Sequence, residues 1–302
     1  MAQPTASALT LPASSAVLEL LKPVTWFPPM WAFGCGVVSS GQPLAARWTL
    51  AAAGVVLAGP LLCAASQATN DWFDRHVDAI NEPNRPIPSG RIPGRWGLYL
   101  AILWSALSLL VAAALGPWVL VAAALGVLLS WAYSAPPLRL KRNGWWGNAA
   151  VGFSYEGLAW ITGAAVMLGG AMPEPRVLVL ALLYSLGAHG IMTLNDFKSI
   201  EGDRRMGVGS LPVRLGPNNA ARVACLMMVV PQATVIALLF GWGRPWHGAI
   251  VGALLAVQLA LMLRFLARPI ERALWYSALG VNFFVLGMLA AAFGLRSATG
   301  GA

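Results

Sequence analysis

The chain has 302 residues, of which 58% are hydrophobic and 10% charged, and its mean hydropathy is +0.68. A soluble domain carries roughly 25% charged residues to face water, so this composition excludes a water-facing globule and turns most of the surface toward lipid. The formal charge of +9 does not mark a nucleic-acid binder, because the cations fall in the connections between apolar runs and not along one face.

In chain order, residues 1–15 read as a polar tail without the basic n-region or cleavage site of a signal peptide. An interfacial segment follows around 16–21. Nine apolar stretches come next, at 23–40, 48–69, 96–115, 117–134, 146–168, 176–194, 220–241, 246–266 and 273–295. Each approaches the ~20 residues that cross a bilayer. Long apolar runs without strand-like alternation are helices in lipid, where every backbone polar group needs an internal partner. Gly116-Pro117 leaves room for a tight hairpin between the third and fourth. Cys35, Cys63 and Cys225 lie inside apolar runs and read as small membrane-helix residues, and His76, His189 and His247 are too scattered for a metal cluster. The expected fold is all-α: a polytopic bundle of nine transmembrane helices, one domain over residues 1–302.

The connections are strongly asymmetric in charge. Lys22; Arg75, Arg85, Arg91 and Arg95; Arg139, Lys141 and Arg142; Lys198, Arg204, Arg205, Arg214 and Arg222; and Arg264, Arg268 and Arg272 share one face. The other face has Arg47, Arg176, Arg244 and Arg296. Positive-inside bias places the first face and the N-terminus in the cytoplasm. All the aspartates of the chain lie on that side, in two clusters.

The first cluster reads Asn70-Asp71-Trp72-Phe73-Asp74-Arg75-His76-Val77-Asp78, and the second Asn195-Asp196-Phe197-Lys198-Ser199-Ile200-Glu201-Gly202-Asp203. They share N-D-x-x-[D/S]-x-x-x-D. Four proposed spans separate them, which returns the chain to the same side and indicates an internal repeat of a four-helix unit. On a helix, Asp71, Asp74 and Asp78 fall within about 60° of arc. Three carboxylates on one stripe repel each other, so they call for a cation. Hard oxygens at this density suit Mg²⁺, which binds through one or two carboxylates plus phosphates and water. The candidate metal ligands are therefore Asp71, Asp74, Asp78, Asp196 and Asp203, and the candidate catalytic residues Asp71, Asp74 and Asp196. Glu201 is either a ligand or a solvated charge.

Asn81 to Gly90 is a proline-rich, turn-forming connection, either a cap with Arg85 turned toward the metal site or a plain connector. Tyr133 to Arg142 ends a helix with three cations, which either neutralise a diphosphate or anchor the helix to anionic lipid. The candidate substrate-binding residues are Asn70, Arg85, Tyr133, Arg139, Lys141, Asn195, Lys198 and Arg204. Glu156 and His189 lie at membrane depth, where an ionisable group is a functional candidate. Each also reads as an interhelical hydrogen-bonding group.

The paired aspartate motifs resemble those of the UbiA superfamily of intramembrane prenyltransferases. NEPNRPIPSGRI (81–92), YSAPPLRLKRNGWWGN (133–148) and NDFKSIEGDR (195–204) are similar to its chlorophyll and bacteriochlorophyll synthase branch. Trp275-Tyr276-Ser277 and the alanine-rich style lean toward the purple-bacterial side. The resemblance covers the chain from Lys22-Pro23 to the last span. It implies a bundle open sideways to lipid and Mg²⁺-dependent transfer of a geranylgeranyl or phytyl group from its diphosphate to the propionate of bacteriochlorophyllide a. It also implies a multi-pass protein of the cell inner membrane or an intracytoplasmic photosynthetic membrane, with its active site on the cytoplasmic side. Ser199 stands where other branches often have a third acidic residue, which implies a first motif richer in ligands than the second. His189 could then approach the macrocycle metal, and Tyr133, Trp72 or Phe73 could steady an allylic cation. The alternatives within the superfamily are a chlorophyllide, quinone-precursor, haem or glycerol-phosphate acceptor. The alternative outside it is a transporter, whose polar site would sit near the midplane.

Overall fold

A computed structural model describes residues 11–299; the first ten residues of the expected polar tail lie outside the described residues. The described chain is helical throughout. A short helix α1 (Ser14–Leu21) buries Ala16, Leu20 and Leu21 against Ala64 and Ala68. It is followed by α2 (Phe27–Ser39) and α3 (Leu44–Val56). A π-helical turn (Leu57–Cys63) joins α3 to α4 (Ala64–Asn81), giving one helix from Leu44 to Asn81. Pro60 sits inside that turn; its missing N–H breaks the regular ladder, which the wider turn absorbs.

Helices α5 (Trp96–Leu115) and α6 (Pro117–Ser134) form the expected hairpin, with Gly116 in a positive-φ conformation between them. Next come α7 (Gly144–Gly152), a second π-helical turn (Phe153–Leu158) and α8 (Ala159–Met167). Helix α9 (Pro175–Asp196) leads to the short α10 (Ile200–Arg205) and α11 (Leu211–Leu215). The long α12 (Pro217–Gly241), α13 (Pro245–Ala267) and α14 (Pro269–Thr299) complete the bundle. Five of the long helices open on proline (117, 175, 217, 245, 269), which lacks the N–H that a first helical residue leaves unbonded anyway.

Among the described residues, seven helices are long and apolar enough to cross a membrane: Leu44–Asn81, Trp96–Leu115, Pro117–Ser134, Pro175–Asp196, Pro217–Gly241, Pro245–Ala267 and Pro269–Arg296. This is a multi-pass membrane protein. The other two expected stretches, 23–40 and 146–168, are helical but less suited to spanning. Helix α2, with Pro28-Pro29 in its first turn, has 13 residues, about 20 Å at 1.5 Å per residue against a ~30 Å hydrocarbon core. The 144–167 stretch stays helical through its π-helical turn but is less apolar, with Ser154, Tyr155 and Glu156 in that turn.

Glycine lets α2 and α8 touch backbone to backbone. A Cβ on Gly36 would lie 2.0 Å from the Trp160 carbonyl oxygen, and one on Gly163 2.1 Å from that of Phe33. Trp160 stacks on Tyr184 at 5.6 Å, and Tyr184 meets Phe284 edge-on at 5.2 Å, which links α8, α9 and α14. In the second half of the bundle, buried Gln232 donates to Gln258 (2.8 Å) and Gln258 to the Tyr276 hydroxyl (3.1 Å), tying α12, α13 and α14. Interhelical bonds of this kind substitute in lipid for a hydrophobic driving force.

The two ends of the bundle differ. At one, Gly116 packs on Gly170, Arg47 donates to the Met167 carbonyl (2.5 Å) and Arg176 lies over Trp242 (5.6 Å). At the other, Asn143 and Gly209 form a parallel β-bridge between the α6–α7 and α10–α11 connections. Four helical passages, α5, α6, α7–α8 and α9, separate the first aspartate motif from the second and return the chain to this end.

Candidate functional site

The first motif is helical throughout, so Asn70, Asp71, Asp74 and Asp78 project from the last turns of α4. The second is not a continuous stripe. Helix α9 ends at Asp196, residues 197–199 turn, and Asp203 comes from α10. Gly202 lies inside α10, and the break falls before it, at Phe197–Ser199. The Ser199 hydroxyl donates to Asp203 (3.0 Å), and the Asp203 carbonyl accepts from the Val208 N–H (2.8 Å), which fixes this displaced carboxylate.

Cations arrive from three connections. Arg85 turns inward and donates to Asp78 (2.8 Å), 3.6 Å from both Asp71 and Glu82. Lys141 and Arg139 pair with Asp74 at 2.5 and 3.3 Å. Lys22, just after α1, reaches Asp71 at 2.6 Å. Burial pulls the Lys141 ammonium below its ordinary pKa, with Asp74 opposing. Burial also works against the Arg85 charge, but Asp71 and Asp78, with Glu82, outweigh it and hold the guanidinium above its ordinary value. Lys22 and Arg139 have left-handed backbones, φ 48° and 41°. Such conformations cost non-glycine residues about 1–3 kcal/mol and cluster at functional sites.

Between the motifs lies a cavity of about 540 Å³. Asn70, Asp74, Asp78, Arg85, Tyr133, Arg139, Lys141, Asp196 and Asp203 all line it. Asn148 of α7 donates to Asp196 (3.1 Å) and to Thr193 (3.3 Å), locking the end of α9. Asp71 is 2% exposed and stands behind the wall, under Lys22 and Arg85. Asn195, Lys198 and Arg204 do not line the cavity; Arg204 pairs with Glu201 on the surface. Trp72 lies under Arg75 and Phe73 against Trp131, so Tyr133 is the one proposed aromatic that borders the cavity. His189 packs beside Trp145, and Glu156 sits in the second π-helical turn; neither lines a cavity described here.

A second, largely apolar cavity of about 210 Å³ borders the first, the two sharing Asn70 and Tyr133 as wall residues. It runs into the bundle between α4, α6 and α7–α8. Several of its polar groups meet at Tyr155, whose hydroxyl accepts from Gln67 (3.0 Å) and is in reach of Cys63 (3.3 Å) and Ser66 (3.4 Å), while Ser130 Oγ is buried without a partner. Most of the wall is hydrocarbon.

Lys22 and Asn148 are contacts that motif reasoning missed, because each reaches its aspartate across 49 or 48 residues of sequence. The signal for Asn148 was its place in the 133–148 string; Lys22 had no local signal beyond its charge.

The donor set fits an open Mg²⁺–diphosphate site and not a closed cage. Among the described residues no three His, Cys, Asp or Glu side chains converge as a ready-made ligand group. Asp74, Asp78, Asp196 and Asp203 instead face a cavity, each held by a cation, an amide or a hydroxyl, while Asp71, behind the wall, has its Oδ2 buried without a partner. Mg²⁺ keeps few protein ligands and completes its shell with phosphate and water.

Comparison with known proteins is consistent throughout. Residues 25–288 match the model of the UbiA prenyltransferase family. The chain is 56% identical to the bacteriochlorophyll synthase 33 kDa chain of Cereibacter sphaeroides, over 95% of each chain. It is 41% identical to the chloroplastic chlorophyll synthase of Oryza sativa subsp. japonica, over 91% of this chain and 75% of that one. A solved structure of a UbiA homolog from Archaeoglobus fulgidus bound to GPP and Mg²⁺ shares the fold: TM-score 0.65 at 20% identity, covering 93% of this chain and 99% of that chain.

Proposed function

The chain belongs to the UbiA prenyltransferase family, and from that premise we propose that it esterifies the propionate of bacteriochlorophyllide a with a geranylgeranyl or phytyl group, releasing diphosphate. The acceptor class follows the bacteriochlorophyll synthases to which the chain is similar over nearly its whole length. The observation that carries the transfer chemistry is the neighbouring pair of cavities: an aspartate-and-cation chamber that borders an apolar one along Asn70 and Tyr133. An amphiphile with a diphosphate head and a hydrocarbon tail has this shape.

Asp74, Asp78, Asp196 and Asp203 would hold Mg²⁺ against the diphosphate from two sides. The metal, when bound, acts as Lewis acid and template for the leaving group. Arg85, Arg139 and Lys141 exchange their carboxylate partners for phosphate oxygens, which keeps the burden of charge balanced as substrate enters. These preorganised cations stabilise the charge that develops on the departing diphosphate. Tyr133, at the junction of the chambers, presents its ring where the allylic carbon becomes electron-poor. The acceptor carboxylate is already ionised near neutral pH, since carboxyl pKa values lie near 4, so the chain needs no general base. Positive-inside bias puts this chamber on the cytoplasmic side of the cell inner or intracytoplasmic membrane.

The test is an assay of membranes containing the chain, supplied with bacteriochlorophyllide a and geranylgeranyl or phytyl diphosphate, with the esterified pigment resolved by chromatography. Product that disappears with excess EDTA and returns with Mg²⁺ is the expected result. Full turnover in EDTA removes the metal, and no product with either diphosphate removes the activity.

A further inference from the structure

Among the described residues, four cations line the polar chamber, and three of them are paired with acids. Arg85 lies on Asp78, Asp71 and Glu82, while Arg139 and Lys141 lie on Asp74. Arg142 is the fourth, and its guanidinium has neither an ion pair nor a hydrogen bond among the described residues. The local backbone explains the difference. Leu140–Arg142 is a single 3₁₀ turn, in which consecutive side chains point about 120° apart. Lys141 therefore turns inward to Asp74, whereas Arg142 turns toward the α10–α11 connection, where a Cβ built on Gly207 would lie 3.9 Å from its Nη2. The Arg142 carbonyl accepts from the Gly209 N–H (2.9 Å), which ties the two connections together.

Position separates the two anions that the transfer reaction brings together. A diphosphate whose hydrocarbon tail fills the apolar cavity lies at the inner part of the chamber, beside Asn70 and Tyr133. The acceptor's carboxylate hangs from a wide macrocycle and enters from outside, so it meets the outer part first. Of the four cations, Arg142 is the exposed one. Exposed apolar side chains flank it in the chain: Trp145 and Trp146 at the start of α7, and Met206 next to Gly207. A flat apolar ring system with a carboxylate arm finds both a surface and a cation on this rim.

Charge points the same way. A carboxylate brought up to a diphosphate is repelled by it, and the repulsion has to be offset by a cation that the diphosphate does not occupy. Arg85, Arg139 and Lys141 release an aspartate to take phosphate; Arg142 has nothing to release. We propose that Arg142 anchors the acceptor, binding the propionate carboxylate of the macrocycle at the outer rim of the chamber. The guanidinium fork matches the two carboxylate oxygens, and those oxygens keep further lone pairs for attack. Adjacent Cα atoms are about 3.8 Å apart, so a carboxylate on Arg142 lies next to a diphosphate on Lys141. One carboxylate oxygen forms the C–O bond to the allylic carbon as the bond from that carbon to the diphosphate oxygen breaks. The bonding pair leaves with the diphosphate, and no proton moves. This rests on the prenyl-transfer reading and adds to it the residue that recognises the acceptor.

The experiment compares wild type, Arg142→Gln and Arg142→Lys as full chains in detergent. Binding of bacteriochlorophyllide a, and of its propionate methyl ester, is measured by fluorescence titration without diphosphate; the ester keeps the macrocycle and lacks the charge. Thermal stabilisation by geranylgeranyl diphosphate with Mg²⁺ is measured without acceptor, and KM for each substrate in the transfer assay. Wild type should bind the acid about tenfold more tightly than the ester, as a charge-assisted pair allows. Arg142→Gln should bind acid and ester alike, with KM for bacteriochlorophyllide a raised about tenfold and stabilisation by the diphosphate unchanged. Arg142→Lys should recover part of the preference, since it restores the charge without the fork. Equal binding of acid and ester by wild type overturns the anchor whatever the variants do. So does an Arg142→Gln that keeps the preference for the acid. An Arg142→Gln that keeps the wild-type melting temperature but loses diphosphate stabilisation as fully as acid binding also overturns it, by assigning Arg142 to the diphosphate. If wild type transfers nothing to the pigment while its preference for the acid still depends on Arg142, the transfer reading fails and the anchor stands.

Discussion

At the scale of single residues, the site is a set of exchangeable ion pairs. Asp74 holds two cations and Asp78 one, all within reach of a cavity that a diphosphate could fill. Much of this was legible in the sequence, because residue type and helical spacing place Asp71, Asp74 and Asp78 on one stripe. What spacing could not show is that Asp71 turns behind the wall to Lys22, or that the turn at 197–199 leaves Lys198 exposed while Asp196 stays at the cavity. Both depend on contacts between segments distant in sequence. Asn148→Ala should lower kcat about 10–100-fold with little change in protein level, the usual cost of losing a group that orients a metal ligand. Turnover normalised to membrane protein checks it; an unchanged kcat would mean Asp196 is positioned without Asn148. Lys22→Met should also lower turnover, by leaving Asp71 buried under Arg85 alone. If Lys22→Met matches wild type, the Lys22–Asp71 pair has no part in shaping the site.

At the scale of elements, apolar runs announced most helices, and the structure adds detail that such runs do not carry. Pro60 lies in the middle of an apolar stretch that reads as one helix, and the chain keeps it continuous through a π-helical turn. The 146–168 stretch reads as uniform too, and it likewise stays helical from Gly144 to Met167 through a π-helical turn at Phe153–Leu158. Hydropathy carries no sign of such a turn, which is a change of backbone hydrogen-bond register. Gly36 and Gly163 set how closely α2 and α8 approach. Gly163→Leu would place carbon where the Phe33 carbonyl now lies, and overpacking of this kind costs about 1–3 kcal/mol or more. A lower melting temperature in detergent, with turnover lost in proportion to folded protein, is expected. A melting temperature equal to wild type would show that the helices separate freely there.

At the scale of the whole molecule, the return of the chain after four helical passages brings both aspartate motifs to one end of the bundle, the end where most of the basic residues lie. Cysteines introduced at positions 85 and 204 should label from the cytoplasmic side, and one at 244 from the opposite side. Labelling of 85 and 204 from opposite faces would separate the two motifs and dissolve the shared chamber. That chamber is the central claim: Asp74 of the first motif and Asp196 of the second act on the same diphosphate. The direct test is turnover of Asp74→Asn, Asp196→Asn and the double variant in the same membranes, normalised to protein level. Residues that serve one catalytic unit are strongly non-additive. Each single change should therefore cost several orders of magnitude in kcat, and the double variant should be little worse than either. A near-normal Asp196→Asn, or a double variant whose loss is the product of the two single losses, would contradict a site shared by the two motifs.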